Sequence, residues 1–368
     1  MAELFKNIYN KKFFDQFIES VLEVIPDFNK TTFLKQIYDT KWENRELKQR
    51  MRHITMILKN HLHDDFSSNA KSILKIIHQL QKKGLREESI EYMFFPDFIE
   101  VYGLDYYDIS IKAFEEITQF TSCEFGVRPF IIKYQKKMTK QMLIWSMHNH
   151  HTVRRLSSEG FRPRLPWAMA IPSLKKNPNP ILPILENLKD DTFESVRRSV
   201  ANNLNDISKD NPETVIHLVK KWKGASNEID WLVKHASRTL LKQGNLEVMK
   251  LFGFGSVDKI KIEAYEILTP TVKVGEFLEF TFKLRNTGNS VSKIRLEYGL
   301  YYQKANGSLS KKNFKISEKE YLKNSTTTIH RKQSFKIITT RKLHLGKHQL
   351  SIIINGKEFD KIDFVLIS

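Results

Sequence analysis

The chain has 368 residues, enough for one large domain and a small one, and 40% of them are hydrophobic, which excludes a disordered chain. A formal net charge of +18 and a pI of about 9.6 ask for a polyanionic partner, either nucleic acid or an anionic membrane surface. No apolar run of about 18 residues and no signal-peptide core is present, so no membrane partner is expected. The single cysteine, Cys123, excludes an internal disulfide and a Cys-rich zinc site, and fits a reducing cytoplasm.

Taken in chain order, apolar residues first recur at helical spacing, as in Leu47, Met51, Ile54 and Leu58, and in Phe114, Ile117 and Phe120. The first hundred residues show no clean repeat. Thr152-Val153-Arg154-Arg155-Leu156 then returns 43 residues later as Ser195-Val196-Arg197-Arg198-Ser199, with a weaker echo 37 residues further on at Leu232-Val233-Lys234-His235-Ala236. Two-helix units with periods near 40 are the signature of HEAT-like arrays, which offer an extended concave binding surface. In the second unit Asp190-Asp191 starts the inner helix, and Asn211-Pro212-Glu213 starts the next with proline at the first helical position.

A break falls at Phe252-Gly253-Phe254-Gly255-Ser256, after which period-two alternation takes over, for instance in residues 259–264, 277–284 and 349–352. Asn286-Thr287-Gly288-Asn289, Asn306-Gly307 and Asn355-Gly356 punctuate these runs as turns. Leu345–Leu350 followed by Ile354-Asn355-Gly356 resembles the end of an immunoglobulin-like domain, with His348 where tyrosine is more usual. The fold class is therefore mostly α: a right-handed α-solenoid of HEAT-like repeats over residues 1–252, followed by a small all-β immunoglobulin-like sandwich over 257–368.

Residues 256–368 hold 21 lysines and arginines against 11 acids, so the β domain is the more basic part per residue. In the helical part the cations cluster, among them Arg154-Arg155, Arg162 and Arg164, Lys175-Lys176 and Arg197-Arg198. Such clusters on successive inner helices suit a duplex backbone. Arg154 and Arg197 also fit an Asp–Arg ladder between neighbouring repeats, and that alternative stays open.

Three stretches carry a resemblance. They are Phe120–Ile131 (FTSCEFGVRPFI), Val153–Trp167 (VRRLSSEGFRPRLPW) and Val196–Pro212 (VRRSVANNLNDISKDNP). Together they are similar to the AlkC/AlkD-type DNA alkylation-repair glycosylases, closest to the AlkC branch, over roughly residues 90–250. The resemblance implies a metal-free, cofactor-free, monofunctional enzyme. It would release cationic N-alkylated bases (3-methyladenine, also 3-methylcytosine) from double-stranded DNA without a deep base-flipping pocket. By motif it implies Glu124, Glu159, Asp206 and Trp167 as the catalytic set. DNA contacts are expected from Arg155, Arg162, Arg164, Arg198, Asn202, Lys175 and Lys176. A monomer in the bacterial cytoplasm is expected.

The chemistry suits those residue types. A cationic base leaves readily, so what needs help is the positive charge spreading onto the deoxyribose, which carboxylates stabilise while one orients water. A tryptophan face attracts a cationic base. On this reading Asp206 and Glu159 face the sugar and water, Glu124 approaches the base, and Trp167 contacts the lesion. Each residue also has a plainer reading. Thr121–Glu124 forms a capping-box pattern, Glu159 stands in i,i+4 relation to Arg155, Asp206 continues a polar stripe with Arg198 and Asn202, and Trp167 fits a core wedge. His148, His150 and His151 are not expected to share a metal, since adjacent side chains on a helix diverge. Two rival functions stand beside the enzyme: a non-catalytic binder of damaged or branched DNA, and a protein–protein scaffold.

Overall fold

The computed structural model describes residues 4–87, 89–338 and 342–368. Among them the helices run α1 Lys11–Leu22, α2 Lys30–Ile37, α3 Leu47–Lys59, α4 Phe66–Lys82, α5 Phe94–Tyr102, α6 Tyr107–Ile117, α7 Val127–Lys133 and α8 Gln135–Trp145. They continue as α9 His151–Glu159, α10 Pro172–Lys176, α11 Leu182–Leu188, α12 Glu194–Ile207, α13 Pro212–Trp222, α14 Asn227–Ala236, α15 Arg238–Lys242 and α16 Leu246–Leu251. No described helix is long and apolar enough to cross a membrane.

Helix gives way to strand between Leu251 and Ile260, while packing divides the chain elsewhere. One compact unit is 1–215 with 222–236, and the other is 216–221 with 237–368. Short helices α15 and α16 fall in the second unit, where Asn313 Nδ2 donates to the Lys242 carbonyl (3.1 Å) and Lys293 Nζ to the Phe252 carbonyl (2.9 Å).

The first unit is a HEAT-like helical solenoid. Its three repeat echoes lie on α9, α12 and α14, and α12 packs against both of the others. Val153 and Leu156, Val196 and Val200, and Ile229, Leu232 and Val233 are among the buried positions of these helices, at the i, i+3 and i+4 spacing of an apolar stripe. α13 begins at Pro212 as the sequence indicates, but α12 begins at Glu194, three residues after Asp191. The Asp191 carboxylate accepts the Phe193 amide (2.9 Å) and ends the preceding loop, so the helix follows it.

The second unit is a β-sandwich. Strands β1 Ile260–Ile267, β3 Phe277–Asn286 and β6 Ser325–Ser334 form one antiparallel sheet in the order β1-β3-β6. β2 Thr271–Lys273, β4 Ser292–Gln303, β5 Leu309–Tyr321, β7 Gly346–Ile354 and β8 Lys357–Ile367 form the other, in the order β2-β8-β7-β4-β5. Alternate residues Leu278, Phe280, Phe282 and Leu284 of β3 meet Leu350, Ile352 and Ile354 of β7 in its core. Asn355 and Gly356 both take positive φ (46° and 80°), as a two-residue β7–β8 hairpin turn demands.

His348 is fully buried among the rings of Tyr302, Phe335 and Phe364. Its Nδ1 accepts the Gln303 amide (3.3 Å) and its Nε2 donates to the His344 carbonyl (3.0 Å), which fixes a neutral tautomer. Burial pushes its pKa below the ordinary 6.5, against the opposing hydrogen bonds to the His344 and Tyr301 backbone. The unfolded chain therefore takes up the proton first. This stabilisation is complete above about pH 6.5 and is lost as the pH falls below it. Calorimetry should show the thermal midpoint falling between about pH 7 and pH 5, with a shallower fall in His348→Gln; equal slopes would reject the assignment.

Candidate active site

The three acids singled out by the sequence differ sharply in how their oxygens are engaged. Glu159, in the last turn of α9, is 6% exposed, and Asp206, in the last turn of α12, is 1% exposed. Between them lies Arg162, also buried. Its Nη1 reaches Glu159 Oε1 at 2.5 Å, and its Nε and Nη2 both reach Asp206 Oδ2 at 2.7 Å. Ser199 Oγ donates to the second Glu159 oxygen (2.6 Å), and Lys209 Nζ meets Asp206 Oδ1 (2.9 Å). Glu159 thus pairs with Arg162, and Asp206 is buried rather than part of a solvated stripe. The expectation that Arg162 grips a phosphate needs correcting for the same reason, since its fork is spent on two buried carboxylates.

Glu124 sits in the turn before α7, whose cap is Gly126 with no side-chain bond, so the capping-box reading also falls away. Its carboxylate meets Arg155 Nη2 at a long 3.5 Å. Burial pushes its pKa above the usual carboxylate range, with Arg155 pulling the other way and Glu159 adding to the rise. Glu124 is thereby inclined to take a proton.

Trp167 is no core wedge. It is 72% exposed, and its φ of 64° places a bulky residue in the left-handed region. Such strain persists only where the surroundings impose it, and it concentrates at working sites.

With this geometry in view, the relatives are informative. The sequence is 42% identical over 364 residues to the uncharacterised protein YhaZ of Bacillus subtilis (strain 168), covering 99% of each chain. Residues 261–368 match the family described as "Uncharacterised protein YhaZ, C-terminal Ig-like domain". The structure matches the Pseudomonas fluorescens alkylpurine DNA glycosylase AlkC, solved bound to DNA containing an abasic site analog, with a TM-score of 0.92 and 30% identity over 100% of both chains. The chain belongs to the AlkC family.

Within this AlkC-family chain, Arg155, Glu159, Arg198 and Asn202 line one cleft of about 400 Å³ along α9 and α12, together with Glu194, Ser195 and Ser199. Glu124, His151 and Thr152 line its continuation past Arg155. The repeat explains why. In each Arg-Arg pair the first arginine folds back onto the loop before its own helix. Arg154 Nη1 bonds the carbonyls of His148 and Asn149, and Arg197 Nη1 those of Asp191 and Thr192. Arg154 also holds Asp191 of the next repeat (2.5 and 3.0 Å), so for that residue the ladder alternative is the one realised. The second arginine of each pair, Arg155 or Arg198, opens into the cleft. Arg198 pairs with Glu194 and lies over the Trp231 ring (5.4 Å), while Asn202 meets His235 (3.2 Å).

Arg164 is bound by Asp210 (3.0 and 2.5 Å) with its side chain 37% exposed, and Lys175 and Lys176 lie on α10. None of these three lines the cleft. Sequence reasoning missed Ser199, Lys209 and Arg128, although Arg128 stands inside the Val127-Arg128-Pro129 motif.

The histidines also differ from expectation. His150 is the extended N-cap of α9, not a helical residue, so its ring stacks on that of His151 (5.0 Å) and both reach Glu87, at 3.3 and 3.0 Å. The three ligand atoms lie close enough to surround a metal ion. His150 Nδ1 also caps the helix, lying 3.4 Å from the Thr152 amide and 2.8 Å from the Thr152 hydroxyl. Cys123 is wholly buried, and burial raises its thiol pKa well above the ordinary value, which suits a core residue and not a nucleophile.

Arg162→Met would strand two carboxylates out of water. Denaturant unfolding should show a loss of about 3–5 kcal/mol, whereas a loss under about 1 kcal/mol would mean the acids find other partners.

Proposed function

We propose that this protein is an alkylpurine DNA glycosylase of base excision repair that releases cationic N-alkylated bases, 3-methyladenine foremost, from duplex DNA. The observation that carries this reading is the buried Glu159–Arg162–Asp206 cluster beside Glu124 in a cleft rimmed by arginine, in a chain that matches an alkylpurine glycosylase over its whole length. Breaking the C1′–N bond sends its electron pair to the alkylated base, which departs neutral. The sugar is left positive at C1′, and water adds there and gives up a proton. Glu159 supplies fixed negative charge facing the cleft. Asp206 sits behind Arg162 and acts as a positioning residue, holding the guanidinium that holds Glu159. Glu124, with its raised pKa, is the acceptor for the water's proton, in place of the base contact first assigned to it. Trp167 offers an exposed aromatic face to the cationic lesion.

The reaction is monofunctional on this reading. Lys209, the amine at the carboxylates, is the ion-pair partner of Asp206, so water is the nucleophile and the strand stays intact. The division into a glycosylase domain, 1–252, and a basic DNA-contacting sandwich, 257–368, belongs to the same proposal. So do the DNA contacts of Arg155, Arg164, Arg198, Asn202, Lys175 and Lys176.

Base release from methylated duplex DNA, followed by chromatography, tests the reading. Wild type should release 3-methyladenine, and borohydride should trap no covalent adduct. Glu124→Gln and Glu159→Gln should each lower the single-turnover rate by about 10²-fold or more, and Asp206→Asn by at least about tenfold, with DNA affinity kept. Tight DNA binding without base release would instead favour a non-catalytic binder.

A further inference from the structure

Between Gly160 and Ile171 the chain leaves α9, delivers Arg162 to the carboxylates and carries Trp167 before α10 begins. Its internal bonds are few: Ala168 N to Leu165 O (3.2 Å) and Ile171 N to Pro163 O (3.1 Å). What shapes it comes from two other helices.

Arg128, on α7, is fully buried and spends its guanidinium on main-chain carbonyls. Nη1 donates to Gly160 O (3.0 Å) and Arg162 O (2.9 Å), and Nε donates to Met169 O (2.6 Å). It grips both ends of the loop and, among the described residues, has no carboxylate within ion-pair distance. Its Nη2 is buried without a hydrogen-bond partner. Burial and the neighbouring Arg162 push its pKa down to about 10, with Asp206 and Glu159 opposing, so it stays charged at neutral pH. From the other side Lys48, on α3, donates Nζ to the carbonyl of Trp167 itself (2.7 Å) while lying over the Phe125 ring (4.9 Å). A buried cation bonded only to neutral carbonyls is a costly way to gain stability, and an apolar residue would fill the space more cheaply. What a planar fork adds is one defined conformation for the segment it spans.

We infer that Arg128 and Lys48 are positioning residues for base excision: together they hold the 160–171 loop so that Trp167 stands exposed in its left-handed turn and Arg162 stays between Glu159 and Asp206. The inference rests on the glycosylase reading. Lys48 acts on Trp167 alone, and Arg128 on both cargoes of the loop.

The test is single-turnover release of 3-methyladenine at saturating enzyme, with DNA affinity and thermal midpoint measured separately. Lys48→Met, at an exposed position, should keep the midpoint and slow excision by roughly 3–10-fold, and Arg128→Lys, whose ammonium cannot span three carbonyls, by roughly tenfold or more. In a Trp167→Ala background Lys48→Met should add no further loss, because it acts through that ring. Wild-type rates in both variants, or a Lys48→Met effect that multiplies with Trp167→Ala, would overturn the inference while leaving the glycosylase reading intact. Should Arg128→Lys melt early, Lys48→Met and its double variant decide alone. A wild-type protein that releases no base would bring down the functional reading, and this inference with it.

Discussion

Two carboxylates held out of water on neighbouring helices set the terms for the helical unit's working end. At 6% and 1% exposure Glu159 and Asp206 need buried partners, and a lone lysine point charge would satisfy only one of them. A guanidinium fork can span two acids on different helices. Arg162 does so, and in doing so ties the end of α9 to the end of α12. That demand shapes the chain after Glu159. The helix must stop within a turn so that a residue three positions on can swing back, and the loop that results has to be held by something other than itself. Arg128 supplies that hold through carbonyls alone.

The repeat divides its labour by position. In both Arg-Arg pairs the first arginine is masonry, closing the loop before its own helix, and the second faces the cleft. A spacing of one residue on a helix turns the side chain by about 100°, so one motif serves both roles without conflict. Duplicating the unit then places Arg155 and Arg198 in succession along α9 and α12, which a regularly spaced phosphate backbone can use.

Much of this architecture was legible in the sequence because it depends on period. The 43- and 37-residue echoes fall on α9, α12 and α14, and the alternation after residue 256 becomes the strands of a two-sheet sandwich. The family motifs brought Glu124, Glu159, Asp206 and Trp167 to view, but not their surroundings. Arg162 looked like a phosphate ligand because sequence reports that a residue is charged and not which way it points. The direction here depends on a loop whose conformation is fixed by Arg128, 34 residues away. His150 and His151 seemed to diverge because helical geometry was assumed at a residue that is in fact the cap. The left-handed Trp167 could not be anticipated at all, since the carbonyl of that residue is bonded by Lys48, from a helix over a hundred residues earlier.

The arrangement of charge also answers a difficulty built into the chemistry. An enzyme that must hold a polyanion and stabilise a cation at one of its sugars cannot rely on net charge of either sign. Here the two demands are separated by depth. The side chains of Arg155 and Arg198 are 32% and 55% exposed, while those of Glu124, Glu159 and Asp206 are 14%, 8% and 2% exposed. Cations stand at the rim, where solvent reaches them, and the acids lie beneath. Arg162 and Lys209 balance much of the acids' charge, so the resting site does not repel DNA, yet the oxygens stay fixed in direction. Fixed dipoles in a partly dry cleft act on a developing charge without having to reorganise. Selectivity follows from the same economy. On the proposed reading, a base that already carries positive charge needs only the sugar stabilised and an aromatic face to meet, whereas a neutral base would also need a proton delivered to it before it could leave.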